Sequence, residues 1–317
     1  MAREIKVSNG KTVALALGSG AARGYTHIGV IEALEARGYE IVAISGCSMG
    51  AVIGGFYAAG KLQQYRDWVC TLNYMDVLKL VDVTLLSNGV IRGDKLYNRM
   101  EEMLNGQLIE DLNIPFTAVS VDLKSKKEVW FQNGPLNQAI RASAAIPSVF
   151  APVCDDAGRT LVDGAVLNPL PITPCMSAHA DYIIAVDLNS DLPLPQDLMP
   201  EEEKDKNEGR RLLWMNSLLD KASQWLENKS NARKQADENL GKLDILNQVF
   251  EVMSSSLTQY KVAGYPPDLL IRMPVKVSEV YEFYRAEEII ETGRHIADEA
   301  LSEFEQGNSS RYGRIMG

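Results

Sequence analysis

Gly46-Cys47-Ser48-Met49-Gly50 is the stretch that decides the fold, because of the two segments that flank it. Residues 41–44, an apolar and largely β-branched run, are typical of a buried strand. Residues 51–60 are apolar over the length of a helix. A Gly-x-Ser-x-Gly sequence between strand and helix is the context that a nucleophile elbow requires. Gly46 and Gly50 permit the strained turn, and Ser48 then projects its hydroxyl at the helix N-terminus.

Strand-like and helix-like segments alternate outward from this turn through residues 1 to 190. A helix is predicted from about Tyr25 to Arg37, and apolar runs predict further strands at 13–17, 116–121 and 182–187. Strands separated by helical patterns indicate βαβ units. We therefore expect an α/β fold, with a mostly parallel sheet between two layers of helices.

The remaining residues are expected to belong to the same single domain, 1–317. A charged run at about 191–211 is typical of an exposed loop. Helices are predicted at 211–228, 243–262 and 285–305, and a strand at 268–273 that returns to the sheet. The apolar stripe of 212–226 suits either a flap that touches lipid or a helix packed on the domain, and both interpretations stay open.

Composition excludes several classes of protein. The chain has 317 residues and a net charge of −10, which argues against sequence-independent nucleic-acid binding and against electrostatic attachment to anionic lipid. Its first residues lack the apolar core of a signal peptide, and no apolar stretch reaches the roughly 18 residues of a transmembrane helix. The four cysteines show no Cys-x-x-Cys spacing. We expect a cytoplasmic protein with reduced thiols.

A glycine-rich loop, Gly18-Ser19-Gly20-Ala21-Ala22-Arg23-Gly24, follows the first strand and opens a helix. Such a loop lets backbone N–H groups approach an anion. A dinucleotide loop would require glycine where Arg23 stands. An oxyanion hole requires only one or two free N–H groups near the nucleophile. With Ser48 on the next strand the oxyanion interpretation is favoured over a turn without a ligand.

Asp163 is the candidate partner of the serine. It precedes Gly164 after an apolar pair, at the predicted end of a strand, where it could either face a site or only form an Asx-turn. A Ser-His-Asp triad would need a histidine placed as general base. None of His27, His179 and His295 lies in a loop after a late strand. A carboxylate acting directly on the serine is therefore the sharper hypothesis.

Together these motifs resemble the signature blocks of patatin-like phospholipases. The glycine loop, the elbow and Asp163-Gly164-Ala165 stand in that family's order, and Arg141 to Pro152 is similar to the segment between elbow and Asp-Gly. The resemblance covers about residues 11 to 190, and the tail around 265–268 resembles the bacterial branch related to neuropathy target esterase. Ser19 departs from the family pattern, in which many members carry glycine there.

The resemblance implies a three-layer α/β/α fold and a lipid acyl hydrolase, of phospholipase or lysophospholipase type. It aligns the nucleophile with Ser48 and the general base with Asp163. The oxyanion donors would be N–H groups of the loop around Gly20 and Ala21, with Met49 as a further candidate, and Arg23 would either hold the loop or meet a substrate phosphate.

No metal or cofactor is expected, and the expected partner is an acyl ester, with transient contact to the inner membrane face as an open alternative. Two other functions remain in competition. One is a catalytically weak regulatory or scaffolding protein on the same fold, and the other is a nucleotide-binding α/β protein.

Overall fold

A single mixed sheet forms the centre of the molecule. The computed structural model describes residues 11–80, 92–147, 149–195 and 232–307. Within them the sheet has eight strands, in the order β5-β6-β3-β2-β1-β7-β8 with β4 also paired to β3. The strands are β1 Thr12–Leu17, β2 Glu40–Cys47, β3 Phe116–Asp122, β4 Lys127–Phe131, β5 Val153–Cys154, β6 Thr160–Asp163, β7 Tyr182–Ser190 and β8 Leu269–Pro274.

Five neighbouring strands of this sheet run parallel. β3, β2, β1, β7 and β8 pair in parallel, whereas β4, β5 and β6 join by antiparallel pairings. All residues of β1 are buried, as a central strand with both faces covered requires. The prediction of a mostly parallel sheet is confirmed.

Helices cover both faces of the sheet, as the βαβ pattern predicts. α1 is preceded by a 3-10 helix over Ala21–Tyr25 and ends close to the predicted Arg37. The strand at 268–273 and the helix at 285–305 are likewise confirmed. The helices are α1 Thr26–Ala36, α2 Met49–Ala58, α3 Leu62–Cys70, α4 Tyr74–Leu80, α5 Asp94–Leu104, α6 Leu136–Ser143, α7 Ala232–Gly264 and α8 Ala286–Glu305.

The chain divides into two compact units. One unit comprises Met1–Pro193 and Met253–Gly317 and contains the whole sheet, and the other comprises Leu194–Val252. In the second unit the structure describes 194–195 and the part of α7 that lies before Met253. Most of the predicted charged loop and the predicted helix at 211–228 lie outside the described residues. Across the part of the chain that is described, no helix is long and apolar enough to cross a membrane.

Two boundaries near the site differ from those predicted. α2 begins at Met49, directly after the serine, and not at residue 51. β2 continues to Cys47, beyond the apolar run that predicted it. The turn between them is therefore a single residue, because Ser48 alone leaves the extended conformation before the helix begins. A longer turn would set the serine farther from the sheet edge.

Candidate active site

The three sequence motifs meet at one edge of the sheet. The glycine loop follows the carboxyl end of β1, and the elbow follows the carboxyl end of β2. Asp163 ends β6, where it pairs with Ser120 in the neighbouring β3. Carboxyl ends of parallel strands are the usual position of binding sites in open α/β sheets. The fold thus brings together Ser48, Asp163 and the glycine loop.

The backbone at Ser48 is strained in the manner of an elbow. Its φ of 55° and ψ of −123° lie in a region that residues with a side chain rarely adopt. The neighbouring glycines allow this turn to pack tightly. A Cβ added at Gly50 would lie 2.1 Å from the Leu17 carbonyl oxygen, and one at Gly46 would lie 2.3 Å from the Gly50 oxygen. Larger residues would therefore push the elbow away from the glycine loop.

Ser143 fixes the elbow from the other side. The Ser48 N–H donates to Ser143 Oγ at 3.0 Å, and that hydroxyl donates to the Val119 carbonyl at 2.6 Å. Because Ser143 already donates its only proton to Val119, it can act toward Ser48 only as an acceptor. Ser143 lies in the segment from Arg141 to Pro152, but no motif of the sequence pointed to it.

Asp163 keeps one carboxylate oxygen free. Its Oδ1 accepts the Ala165 N–H at 2.8 Å, the bond of an Asx-turn, and the Cys47 thiol lies 3.7 Å from the same atom. Its Oδ2 is buried and has no hydrogen-bond partner within the described part of the chain. The turn and a role toward the serine therefore coexist, because each uses a different oxygen.

Burial raises the pKa of Asp163 from 3.8 to about 6. The Ser48 hydroxyl, the Ala165 N–H and the Cys47 thiol act in the opposite direction. Ser48 is thus close enough to affect the carboxyl, although no hydrogen bond of ordinary geometry joins the two side chains among the contacts described. Such bonds are often long in unliganded sites and shorten when substrate binds.

The glycine loop leaves two N–H groups open. The N–H groups of Gly18, Ser19 and Ala22 donate to carbonyl oxygens elsewhere in the chain, those of Val186, Pro169 and Val280. For the N–H groups of Gly20 and Ala21 the described residues supply no acceptor. Ala21 has a φ of 46°, again in the left-handed region. The loop is thus anchored by its flanks, while its middle can receive an anion.

Arg23, the sixth residue of this loop, is buried in the protein. Only 4% of its surface is exposed, and its charge, together with that of Arg272, opposes the rise in the pKa of Asp187 that burial causes. Of the two roles considered for Arg23, holding the loop therefore fits its position better than meeting a substrate phosphate.

His27 supports the loop as a neutral side chain. Its Nε2 lies 2.8 Å from the Gly18 carbonyl oxygen and is the donor there, because a carbonyl can only accept. Burial lowers the pKa of His27 to about 4. His179 is exposed, and His295 lies beside Glu299 along α8. Neither is among the groups that affect the pKa of Asp163. Within the described residues no group of His, Cys, Asp and Glu could hold a metal ion.

The chain is similar to known proteins over the region that contains these motifs. The model of the patatin-like phospholipase family matches residues 15–176, which include all three motifs. An uncharacterized NTE family protein of Mycobacterium tuberculosis is 38% identical over 96% of this chain and 95% of its own. Human patatin-like phospholipase domain-containing protein 6 is 27% identical over 96% of this chain and 21% of its own. VipD of Legionella pneumophila is similar in structure with a TM-score of 0.45 and 13% identity, over 93% of this chain and 67% of that chain, a likeness too distant to bear on function.

Proposed function

Because the chain belongs to the patatin-like phospholipase family, we propose that it hydrolyses carboxylic esters of lipids through an acyl-enzyme formed on Ser48. Asp163 acts as the general base, and the N–H groups of Gly20 and Ala21 act as the oxyanion hole. One observation carries the proposal: Oδ2 of Asp163 is buried beside the strained elbow serine and finds no hydrogen-bond partner among the residues that the structure describes.

In the first step Asp163 removes the proton from the Ser48 hydroxyl as its oxygen attacks the acyl carbonyl. A carboxylate with a pKa of about 6 is a stronger base than an ordinary aspartate, yet it stays ionised at neutral pH. The arrangement needs no histidine between the two groups. This is a Ser-Asp dyad, in which the carboxylate acts on the hydroxyl directly.

The negative charge of the tetrahedral intermediate then lies on the former carbonyl oxygen. The N–H groups of Gly20 and Ala21, for which the described residues offer no acceptor, can donate to that oxygen without first giving up another bond. The N–H of Met49 begins α2, where the first N–H groups of a helix have no partner within the helix. It is a third candidate donor, whereas the Ser48 N–H is already engaged by Ser143.

The alcohol of the ester leaves with the proton held by Asp163. Asp163 then takes a proton from water, the resulting hydroxide attacks the acyl-enzyme, and Ser48 recovers its proton as the fatty acid departs. No step requires a metal or a cofactor. The substrate is a lipid or other acyl ester. The protein reaches it by transient contact with a membrane or micelle surface. The net charge of −10 gives no electrostatic attraction to such a surface when the surface is anionic.

Two substitutions test the assignment. Ser48→Ala removes the nucleophile, and Asp163→Asn removes the base while keeping the shape of the side chain. We expect each to reduce turnover of p-nitrophenyl butyrate by at least about 10³-fold, because both groups act in the same chemical step. Ser177→Ala, which changes an exposed serine, is the matched control and should retain full activity. Turnover by purified Ser48→Ala at the rate of the parent would refute the proposal.

A serine-directed fluorophosphonate separates this function from its competitors. We expect covalent labelling at Ser48, located by peptide mass spectrometry, and no labelling of the Ser48→Ala protein. A catalytically weak scaffolding protein would remain unlabelled at Ser48. A nucleotide-binding protein would show a thermal shift with nucleotides and none with acyl esters.

A further inference from the structure

The strand that supports the glycine loop contains an irregularity next to it. In the pairing of β7 with β8, Asp187 lies opposite Arg272 but Ser190 lies opposite Pro274, so β7 has one more residue than its partner over this interval. Such β-bulges redirect a side chain and are common beside active sites. The bulge includes Leu188 and Asn189.

Asn189 uses this position to contact the loop. Its Nδ2 donates to the carbonyl oxygen of Ser19 at 3.2 Å. The amide nitrogen, and not the amide oxygen, must face this carbonyl, because a carbonyl can only accept. The backbone of Asn189 is held in turn, since its N–H donates to Asp187 Oδ1 at 3.0 Å. The donor is therefore fixed at both its backbone and its side chain.

The carbonyl of Ser19 and the N–H of Gly20 belong to the same peptide unit. In a trans peptide these two groups point in opposite directions within one plane. No cis peptide bond occurs among the residues described. Holding the Ser19 oxygen therefore fixes the direction of the Gly20 N–H, one of the two loop groups that have no acceptor where the structure is described. Leu188, the other residue of the bulge, packs closely against Gly20, since a Cβ added there would lie 2.6 Å from Leu188 Cδ1.

We propose that Asn189 is a positioning residue, which aims the Gly20 N–H at the oxyanion by holding the Ser19 carbonyl from the β7 bulge. The proposal rests on the ester hydrolysis proposed above. Asn189 itself touches no reacting atom. Its removal should weaken binding of the transition state and leave binding of the ground-state ester unchanged.

The test uses Asn189→Leu, which keeps the size of the side chain and removes the donor, in the full-length protein. The matched control is Ser190→Ala, the next residue of the same strand. We expect kcat for p-nitrophenyl butyrate to fall about 10- to 100-fold in Asn189→Leu, less than on outright loss of an oxyanion donor, with KM within about twofold of the parent. Inhibition by an alkyl trifluoromethyl ketone, which forms a tetrahedral adduct with serine, should weaken by the same factor.

Asn189→Asp provides a second variant of nearly identical shape. Its carboxylate would face the Ser19 carbonyl as a second acceptor, so we expect a loss of kcat at least as large as in Asn189→Leu. Thermal unfolding of each variant establishes that it is folded. A parental kcat in Asn189→Leu would overturn the proposal, and so would a rise in KM with unchanged trifluoromethyl ketone affinity. Ser48→Ala is assayed in parallel: if it retains turnover the proposed function fails, and if it is inactive the Asn189 result stands by itself.

Discussion

The carboxyl of Asp163 lies where its charge is disfavoured. It is 1% exposed, and in the described part of the chain one of its oxygens has no hydrogen-bond partner and no cation is among the groups that affect its pKa. A group used only to stabilise a turn would gain from a more solvated position. The cost of burying the charge is therefore consistent with a role in proton transfer.

The pH dependence of turnover should reflect this carboxyl. Asp163 accepts a proton only when ionised, and its pKa is raised to about 6. We expect kcat/KM to rise with pH through an apparent pKa near 6 and to level off above it, measured with p-nitrophenyl butyrate between pH 4.5 and 8. A rise of kcat/KM with an apparent pKa near 4, in protein that is still folded, would contradict the assignment of Asp163 as the base.

The same residue should destabilise the fold at high pH. Because its pKa rises on folding, from 3.8 to about 6, the ionised carboxylate opposes folding above pH 6 and has no such effect below pH 3.8. Asp163→Asn should therefore be more stable than the parent by up to about 3 kcal/mol at pH 8, and the difference should shrink toward pH 4. Urea unfolding at both pH values measures it. A variant less stable than the parent at pH 8 would contradict the prediction.

The sequence predicts the residues of the motifs but not the residues that hold those motifs in place. Ser48, Asp163 and the glycine loop lie in short patterns whose spacing carries the signal. Ser143 and His27 act through single contacts with the backbone of distant residues. Such contacts are set by tertiary packing, which leaves no periodic trace in the chain. The N–H groups of the glycine loop that are open to an anion can likewise be identified only when the acceptors of the other N–H groups in the loop are known.

At the scale of elements, α1 and α8 cross at a pair of glycines. A Cβ on Gly29 would lie 2.1 Å from the Ile290 carbonyl oxygen, and a Cβ on Gly293 would lie 2.4 Å from the Thr26 carbonyl oxygen. Each glycine therefore faces the backbone of the other helix. The approach is close enough that neither position can hold a larger residue without separating the helices.

Gly29→Ala should consequently destabilise the protein although alanine favours a helix. We expect a loss of about 1–3 kcal/mol in the free energy of unfolding, because the clash is with backbone that cannot rotate away. Gly264→Ala, at the end of α7 where nothing lies within 4 Å, is the control and should change stability by less than about 0.5 kcal/mol. Urea denaturation compares the two. Equal stabilities would show that the crossing can widen freely.

Buried strands and helices are easier to predict from the sequence than exposed ones. The parallel strands are nearly continuous apolar runs because both of their faces are covered, and these runs were predicted. β4, Lys127–Phe131, has no such apolar run, because among the described strands it pairs with β3 alone and it carries the exposed Trp130 beside polar residues. α7 begins at Ala232, before the predicted 243, since polar residues at its start give no apolar period. The stripe at 212–226 stays a prediction.

Over the whole molecule, the fold is completed by elements from the C-terminal third of the sequence, β8 and α8. β8 pairs with β7, and its Ile271 and Met273 are fully buried. α8 packs Ile289 and Ile290 into the same interior. The match to the family model ends at residue 176, well before these elements. The motifs therefore depend on a part of the chain that contains none of them.

A fragment of residues 1–193 should accordingly fail to fold. It would keep every motif but expose the face of α1 that α8 covers. It would also leave β7, which still pairs with β1, as an open edge strand on its other side, and both changes favour aggregation. We expect insoluble protein or a fluctuating compact state without near-ultraviolet circular dichroism, compared with the full chain. A fragment that is soluble, unfolds cooperatively and is active would contradict this prediction. That the entire chain, 1–317, forms one domain stays a prediction.

The depth of the serine has a kinetic consequence. Ser48 is 2% exposed, and we expect an ester in solution to reach the hydroxyl only after neighbouring atoms move apart. Reaction of the ester with Ser48 would then have two stages: the protein opens around the serine, and the serine attacks the ester. The rate of opening sets an upper limit on the rate of attack. A reagent's reactivity would cease to matter once it exceeds that limit, and a series of ever more electrophilic fluorophosphonates would converge on one common rate of labelling.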